Sequence, residues 1–175
     1  NTPKVAATLT PELVRITGML TALLQLLATV LAVTYLVLDG HFGNNAALQM
    51  TRQCDLHLIS KLRHDAKLYF PYDGPYQGRG PHRQYGDKLN LKDIPVKYLR
   101  HVSHEGDIQT CIYQMTLLHH DFAQTLNVVL LLKTNFKTHA QAHVLLFSAD
   151  LELPFDRLID FYQLRFQIEF NFRDA

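Results

Sequence analysis

Two places in the 175-residue chain put charged groups where chemistry is usually done. Asp39 closes the apolar run Tyr35-Leu36-Val37-Leu38 and is followed by Gly40. A carboxylate at the carboxyl end of a buried strand occupies a favoured site position in α/β sheets, although the same residue can simply turn the chain. The second place is the closing helix, read from Phe155 to Ala175. At about 100° per residue it carries two polar strips rather than one. Asp156, Asp160, Gln167 and Asn171 form an ordinary solvent face, and Tyr162, Arg165, Glu169 and Arg173 lie nearly opposite. Phe161, Leu164, Ile168 and Phe172 separate the strips on one side, Ile159, Phe166 and Phe170 on the other. A helix wedged between apolar surfaces needs one outlet to water. The second strip, a carboxylate with two arginines, is therefore either a satisfied ion-pair network or the wall of a functional cleft.

The elements that must position these groups read in the order α-β-α-β, then a β-rich block, then α. Thr10-Pro11-Glu12 is a helix start with a hydroxyl N-cap, Pro at the first helical position and an acid in the first turn. Apolar residues from Leu13 to Leu31 carry this helix to about Val33, ahead of the strand Tyr35–Leu38. Gly43-Asn44-Asn45 opens a second helix, Ala46 to about Cys54, and Leu56–Leu62 reads as a strand with Lys61 and Arg63 at its exit. Between Tyr69 and Asn90, Pro71, Gly74, Pro75, Gly78, Gly80, Pro81 and Gly86 stand too close together for any regular element. Strands are predicted at Val96–Val102, Ile108–Leu118, Leu126–Lys133 and His143–Phe147, before the final helix.

Composition narrows the classes. Hydrophobic residues make up 47% of the chain and charged residues 19%, enough apolar material for a core and too much for a disordered chain. Two cysteines, Cys54 and Cys111, are too few for a disulfide framework. Residues 52–101 hold ten Lys or Arg against five Asp, an excess that suits an anionic partner. Tyr72, Tyr76, Arg79, Arg83, Tyr85 and Lys88 interleave with the glycines and prolines there, as in surfaces that stack bases and follow a phosphate backbone, or in an ordinary solvated loop. His119-His120 beside Asp121, and His139 with His143, raise zinc as a rival, but no HExxH spacing is present. Met19–Leu38 is uncharged and long enough to span a bilayer; Thr21, Gln25, Thr29 and Thr34 and the missing basic flank argue for a buried helix and strand instead.

Taken together, these residues resemble an insertion-sequence transposase of the DDE type, in the superfamily that shares the ribonuclease-H-like fold with retroviral integrases. Tyr35-Leu36-Val37-Leu38-Asp39-Gly40-His41-Phe42-Gly43-Asn44 is similar to the family's strand ending in the second catalytic Asp. Tyr162-x2-Arg165-x3-Glu169 is similar to its signature around the third acid. The resemblance implies an α/β fold: a ribonuclease-H-like mixed sheet flanked by helices, its N-terminal strands missing, with a β-rich insertion before the last helix. Residues 1–62 and 149–175 would form the partial catalytic core. Residues 63–148 would form the insertion, with its basic Gly/Pro loop at 69–92.

Carried over residue by residue, the resemblance makes Asp39 and Glu169 catalytic metal ligands. It assigns DNA binding to Tyr162, Arg165 and Arg173, with Arg79, Arg83 and Lys88 from the insertion loop. The implied cofactor is Mg²⁺ or Mn²⁺ in a two-metal site, because hard cations prefer carboxylate oxygens to His or Cys. The implied partners are transposon-end and target DNA and further copies of the chain on that DNA, without a membrane, in the cytoplasm of a prokaryote at the nucleoid. The only acid before Asp39 is Glu12, in a helix start, and the family's Lys seven positions beyond Glu169 would fall at position 176. Both departures imply a fragment that alone cleaves little. The alternatives are a DNA-binding remnant without catalysis, or a membrane-anchored protein using residues 19–38.

Overall fold

The computed structural model describes residues 8–76, 78 and 80–173, with side chains described as far as position 165. Helix α1 spans Pro11–Leu27, and Thr10 caps it, its hydroxyl accepting from the Leu13 amide at 3.3 Å. It stops six residues short of the predicted end. The Leu27 carbonyl accepts from both Val30 and Leu31, closing a turn before the β-branched residues that lead into strand β1, Tyr35–Val37. A 3-10 turn, Gly40–Phe42, connects β1 to helix α2, Asn45–Gln53, which Asn44 caps through the Ala47 amide. Strand β2, His57–Lys61, follows.

The Gly/Pro-rich stretch departs from expectation. It contains two short strands, β3 at Leu68–Pro71 and β4 at Tyr85–Lys88, paired antiparallel across the irregular loop. The glycines and prolines concentrate in that loop, and the pairing is irregular between Tyr69 and Pro71. The strand predicted from Val96 starts later, because Val96–Tyr98 forms a 3-10 turn after Pro95; strand β5 is Leu99–Glu105. Strands β6, Ile108–His119, β7, Leu126–Asn135, and β8, Gln141–Ser148, fall where predicted and run longer. Helix α3 spans Phe155–Arg173.

These strands form one mixed sheet in the order β1-β2-β8-β7-β6-β3-β4, with β5 on β6. Only the β1–β2 pairing is parallel among the described strands. The long β6 takes β7 along one edge; on the other it takes β5 over its first half and β3 at its end.

Side chains alternate across the sheet, so each face has its own core. Leu58, Val128, Leu130 and Phe147 pack with Leu13, Ala47, Leu48 and Met50 of α1 and α2. Ile59, Val129 and Leu146 pack with Leu158 and Tyr162 of α3. Helices thus cover both faces of a mixed sheet, the α/β, ribonuclease-H-like arrangement expected from the residues. No helix among the described residues is long and apolar enough to cross a membrane.

Candidate functional site

Asp39 stands where β1 ends. Its carboxylate Oδ1 accepts from the His41 amide at 2.9 Å and so caps the 3-10 turn. Its backbone carbonyl accepts from the Ser60 hydroxyl at 2.8 Å, and the Leu38 amide donates to Ile59 at 3.0 Å, so β2 holds the end of β1 from beside it. Gly43 makes this possible. A Cβ there would lie 2.2 Å from the Lys61 carbonyl oxygen, so only a residue without a side chain lets the turn sit on β2.

The other wall is α3, and buried amides fix where it starts. Asn127, 2% exposed, donates to the carbonyls of Asp150 and Leu153, at 3.0 and 2.8 Å. Gln114 donates to the Asn127 side-chain oxygen and to the Leu153 carbonyl. The turn before α3 is thereby tied to β6 and β7. Leu158 and Tyr162 bury on the sheet, whereas Leu164, predicted on an apolar flank, is 51% exposed. The helix presses on the sheet with its 158–162–165 side, and position 164 rotates away from that contact.

This docking brings Arg165 onto Asp39. Arg165 Nη1 donates to Asp39 Oδ2 at 3.0 Å, with the guanidinium side chain 18% exposed and the carboxylate 55%. The guanidinium also lies 5.5 Å from the centre of the Tyr162 ring, which is 6% exposed. Beside the pair opens a cleft of about 870 Å³, bordered by Asp39, Lys61, His64, Tyr162 and Arg165, with Leu131, Val144 and Leu146 of the sheet along it.

A second anchor lies behind the cleft. Tyr35 on β1 donates its hydroxyl to Asp150 Oδ2 at 2.7 Å, across 115 positions of sequence. That bond, with burial and the negative charge of Asp150, raises the Tyr35 hydroxyl to about 12. Burial works against the Asp150 carboxylate, but the Tyr35 hydroxyl, the Glu152 amide and nearby His57 hold it below its ordinary value.

Of the residues assigned from sequence, Asp39, Tyr162 and Arg165 come together. Glu169 and Arg173 belong to α3, with side chains outside the described residues, and Arg79 lies outside them altogether. Arg83 and Lys88 do not join the group. Arg83 stacks on Tyr72 at 4.9 Å and donates to the Tyr85 carbonyl; with Lys88 it borders a separate cavity of about 630 Å³. Six strand steps separate β4 from β1, roughly 29 Å at the usual spacing. Lys61 and His64 border the cleft but were not assigned from sequence. Lys61 lies two positions after apolar Ile59 and so shares the strand face that meets α3, but that face is known only from the packing.

The donor set suits a hard cation in part. Asp39 offers carboxylate oxygen to an open cleft, but the residues described there supply no second carboxylate. Among the described residues no group of three or more His, Cys, Asp or Glu gathers as a metal site. Position 169 follows Arg165 by one helical turn.

A family model described as DDE superfamily endonuclease matches residues 3–115, well over half of the chain. The chain belongs to this family. Membership carries endonuclease chemistry of the transposase type and DNA as the substrate, and the superfamily typically uses divalent metal ions. The match includes Asp39 with β1, α2 and β2, and ends before α3. No curated protein matches this DDE endonuclease chain.

Proposed function

We propose that this chain is the catalytic portion of an insertion-sequence DDE transposase that holds transposon ends and, when complete, cuts and joins DNA strands. The observation that carries the reading is the 3.0 Å contact between Arg165 and Asp39, which sets α3 against the end of β1. The tyrosine and arginine of the signature thus meet the aspartate that the strand motif singles out.

Asp39, just past the end of β1, and Glu169 on α3 are the residues that would hold Mg²⁺ or Mn²⁺. The chemistry such ions would supply there is activation of an attacking oxygen and stabilisation of a leaving oxygen at phosphorus. The chain's own part is positional. The capped turn and the Ser60 bond hold Asp39 at the cleft mouth. Arg165 is preorganised by Tyr162 and offers a guanidinium fork suited to phosphate oxygens. Only 6% exposed, Tyr162 serves DNA through Arg165. Arg83 and Lys88 offer the DNA a separate contact on the far edge, Arg79 is assigned to DNA from the sequence alone, and several copies assemble on the paired ends. From residue 8 to residue 38 the only acid is Glu12, which starts α1. These residues therefore provide two of the three carboxylates and cut little by themselves.

Calorimetric titration of Mn²⁺ into the chain bound to a DNA duplex tests the reading. Asp39→Asn and Glu169→Gln should each abolish the metal heat while DNA binding persists. Wild-type metal binding by both variants would refute it. Salt-sensitive DNA binding with no metal uptake in the unaltered chain would favour the non-catalytic DNA-binding remnant, which the single described carboxylate in the cleft supports.

A further inference from the structure

We infer that Lys61 is the sheet-side phosphate anchor of the cleft, gripping a DNA backbone phosphate opposite Arg165; this rests on the proposed transposase reading. Ile59 packs into the α3 core, and Lys61, two residues on, projects from the same face of β2 beyond the edge of that core. Its stem is placed by the turn that carries Asp39. A Cβ at Gly40 would lie 3.5 Å from Lys61 Cβ and 3.8 Å from Cδ, so the lysine runs alongside that turn. Register places it opposite Leu146, whose side chain belongs to the apolar strip running through Val144 and Leu131.

The cations around this cleft differ in their partners. Arg165 is paired with Asp39, and Arg63 with Asp65 at 3.0 Å. The Lys61 side chain makes no ion pair or hydrogen bond among the described residues. An exposed ammonium at the border of a cleft with apolar walls, lacking a carboxylate partner among the described residues, attracts a mobile anion. The cleft is open and far larger than a single phosphate, so the ligand is an extended polyanion, with apolar sugar faces lying on Leu131, Val144 and Leu146. A nucleic-acid backbone has that chemistry. Lys61 from the sheet and Arg165 from the helix would hold successive phosphates across the cleft, bringing the strand past Asp39.

The test measures binding of the full chain to a short fluorescein-labelled DNA duplex of mixed sequence over a range of salt concentrations. The Lys61→Gln, Lys61→Arg and Lys137→Gln variants are compared with the unaltered chain. Lys137 pairs with Asp107 at 2.6 Å, away from the cleft, and serves as the surface-charge control. Losing one phosphate contact should weaken binding several-fold at low salt and flatten the slope of log K against log salt by about 1 for Lys61→Gln. Lys61→Arg should keep the full slope, and Lys137→Gln should leave it unchanged. Thermal unfolding confirms that each variant is folded. An unchanged slope in Lys61→Gln, or equal flattening in Lys137→Gln, overturns the anchor and leaves the transposase reading standing. Failure of the unaltered chain to bind DNA at any salt removes both.

Discussion

Asp39 uses its two oxygens differently, and the difference separates fold from function. Oδ1 caps the turn through the His41 amide, while Oδ2 takes the Arg165 guanidinium. Asn is as good a cap as Asp, so Asp39→Asn should keep the fold within about 1 kcal/mol in chemical denaturation while losing its charge-dependent contacts. Arg165→Gln acts the other way. It removes a positive neighbour from a half-exposed carboxylate, so Mn²⁺ affinity in the DNA-free chain should hold or rise while DNA affinity falls. A fall in both would mean that Arg165 merely supports the local fold. Asp39 and Arg165 were legible in the sequence because each stood out against its own element, an acid at a strand end and a charge on a helix face between apolar flanks. Lys61 was not, because a lysine leaving a strand looks like ordinary solvation until its neighbours are known. The Tyr35–Asp150 bond joins distant elements, and no local pattern announces it.

The elements that frame the site are short, and their attachments matter more than their length. Strand β1 is three residues long; Tyr35 fastens it to the turn before α3, and the Gly43 contact fastens its exit to β2. Tyr35→Phe should cost about 0.5–1.5 kcal/mol, since Asp150 Oδ2 loses a partly buried donor. The pH dependence has a definite sign. The Tyr35 hydroxyl is raised to about 12, so the bond's stabilisation is complete below the ordinary value of about 10 and drains away as pH rises through 12. Asp150, held below its ordinary value, contributes stability that is lost only as pH falls through its folded value. Tyr35→Phe should therefore lower the mid-pH plateau and flatten both limbs in thermal melts across pH, the variant converging with the unaltered chain above about pH 12, and an unchanged alkaline limb would contradict this. Gly43→Ala places a methyl against the Lys61 carbonyl and should cost about 1–3 kcal/mol in urea unfolding, as overpacked sites do. At this scale the Thr10 cap, the helix opening at Gly43-Asn44-Asn45 and the long β6–β8 runs were readable. The strands β3 and β4 escaped because four-residue strands beside Gly and Pro owe their existence to their neighbours, β3 to β6 and β4 to β3, not to their own residues.

Across the whole molecule, the sheet grades from a firm centre to an edge that carries the candidate site. Leu58, Val128, Leu130 and Phe147 are fully buried on β2, β7 and β8, each strand paired on both sides, whereas β1 pairs only with β2 among the described residues. Local opening costs least where backbone bonds are few and exposed, so amide exchange should be slowest in β7 and β8 and markedly faster in β1, β4 and β5. A ligand that binds only the folded arrangement stabilises the segments it bridges. Mn²⁺ with a DNA duplex should therefore slow exchange at Tyr35–Val37, at the 3-10 turn that Asp39 caps and in the first turns of α3. It should do so without changing the distant β5–β6 hairpin, which takes no part in the cleft. Separate DNA contacts at Arg83 and Lys88 would add protection in β4 even without metal. Hydrogen-exchange mass spectrometry with and without metal separates these two footprints. Protection confined to β4, with β1 exchanging as before, would place the nucleic acid on the basic loop and leave Asp39 without a role in holding it.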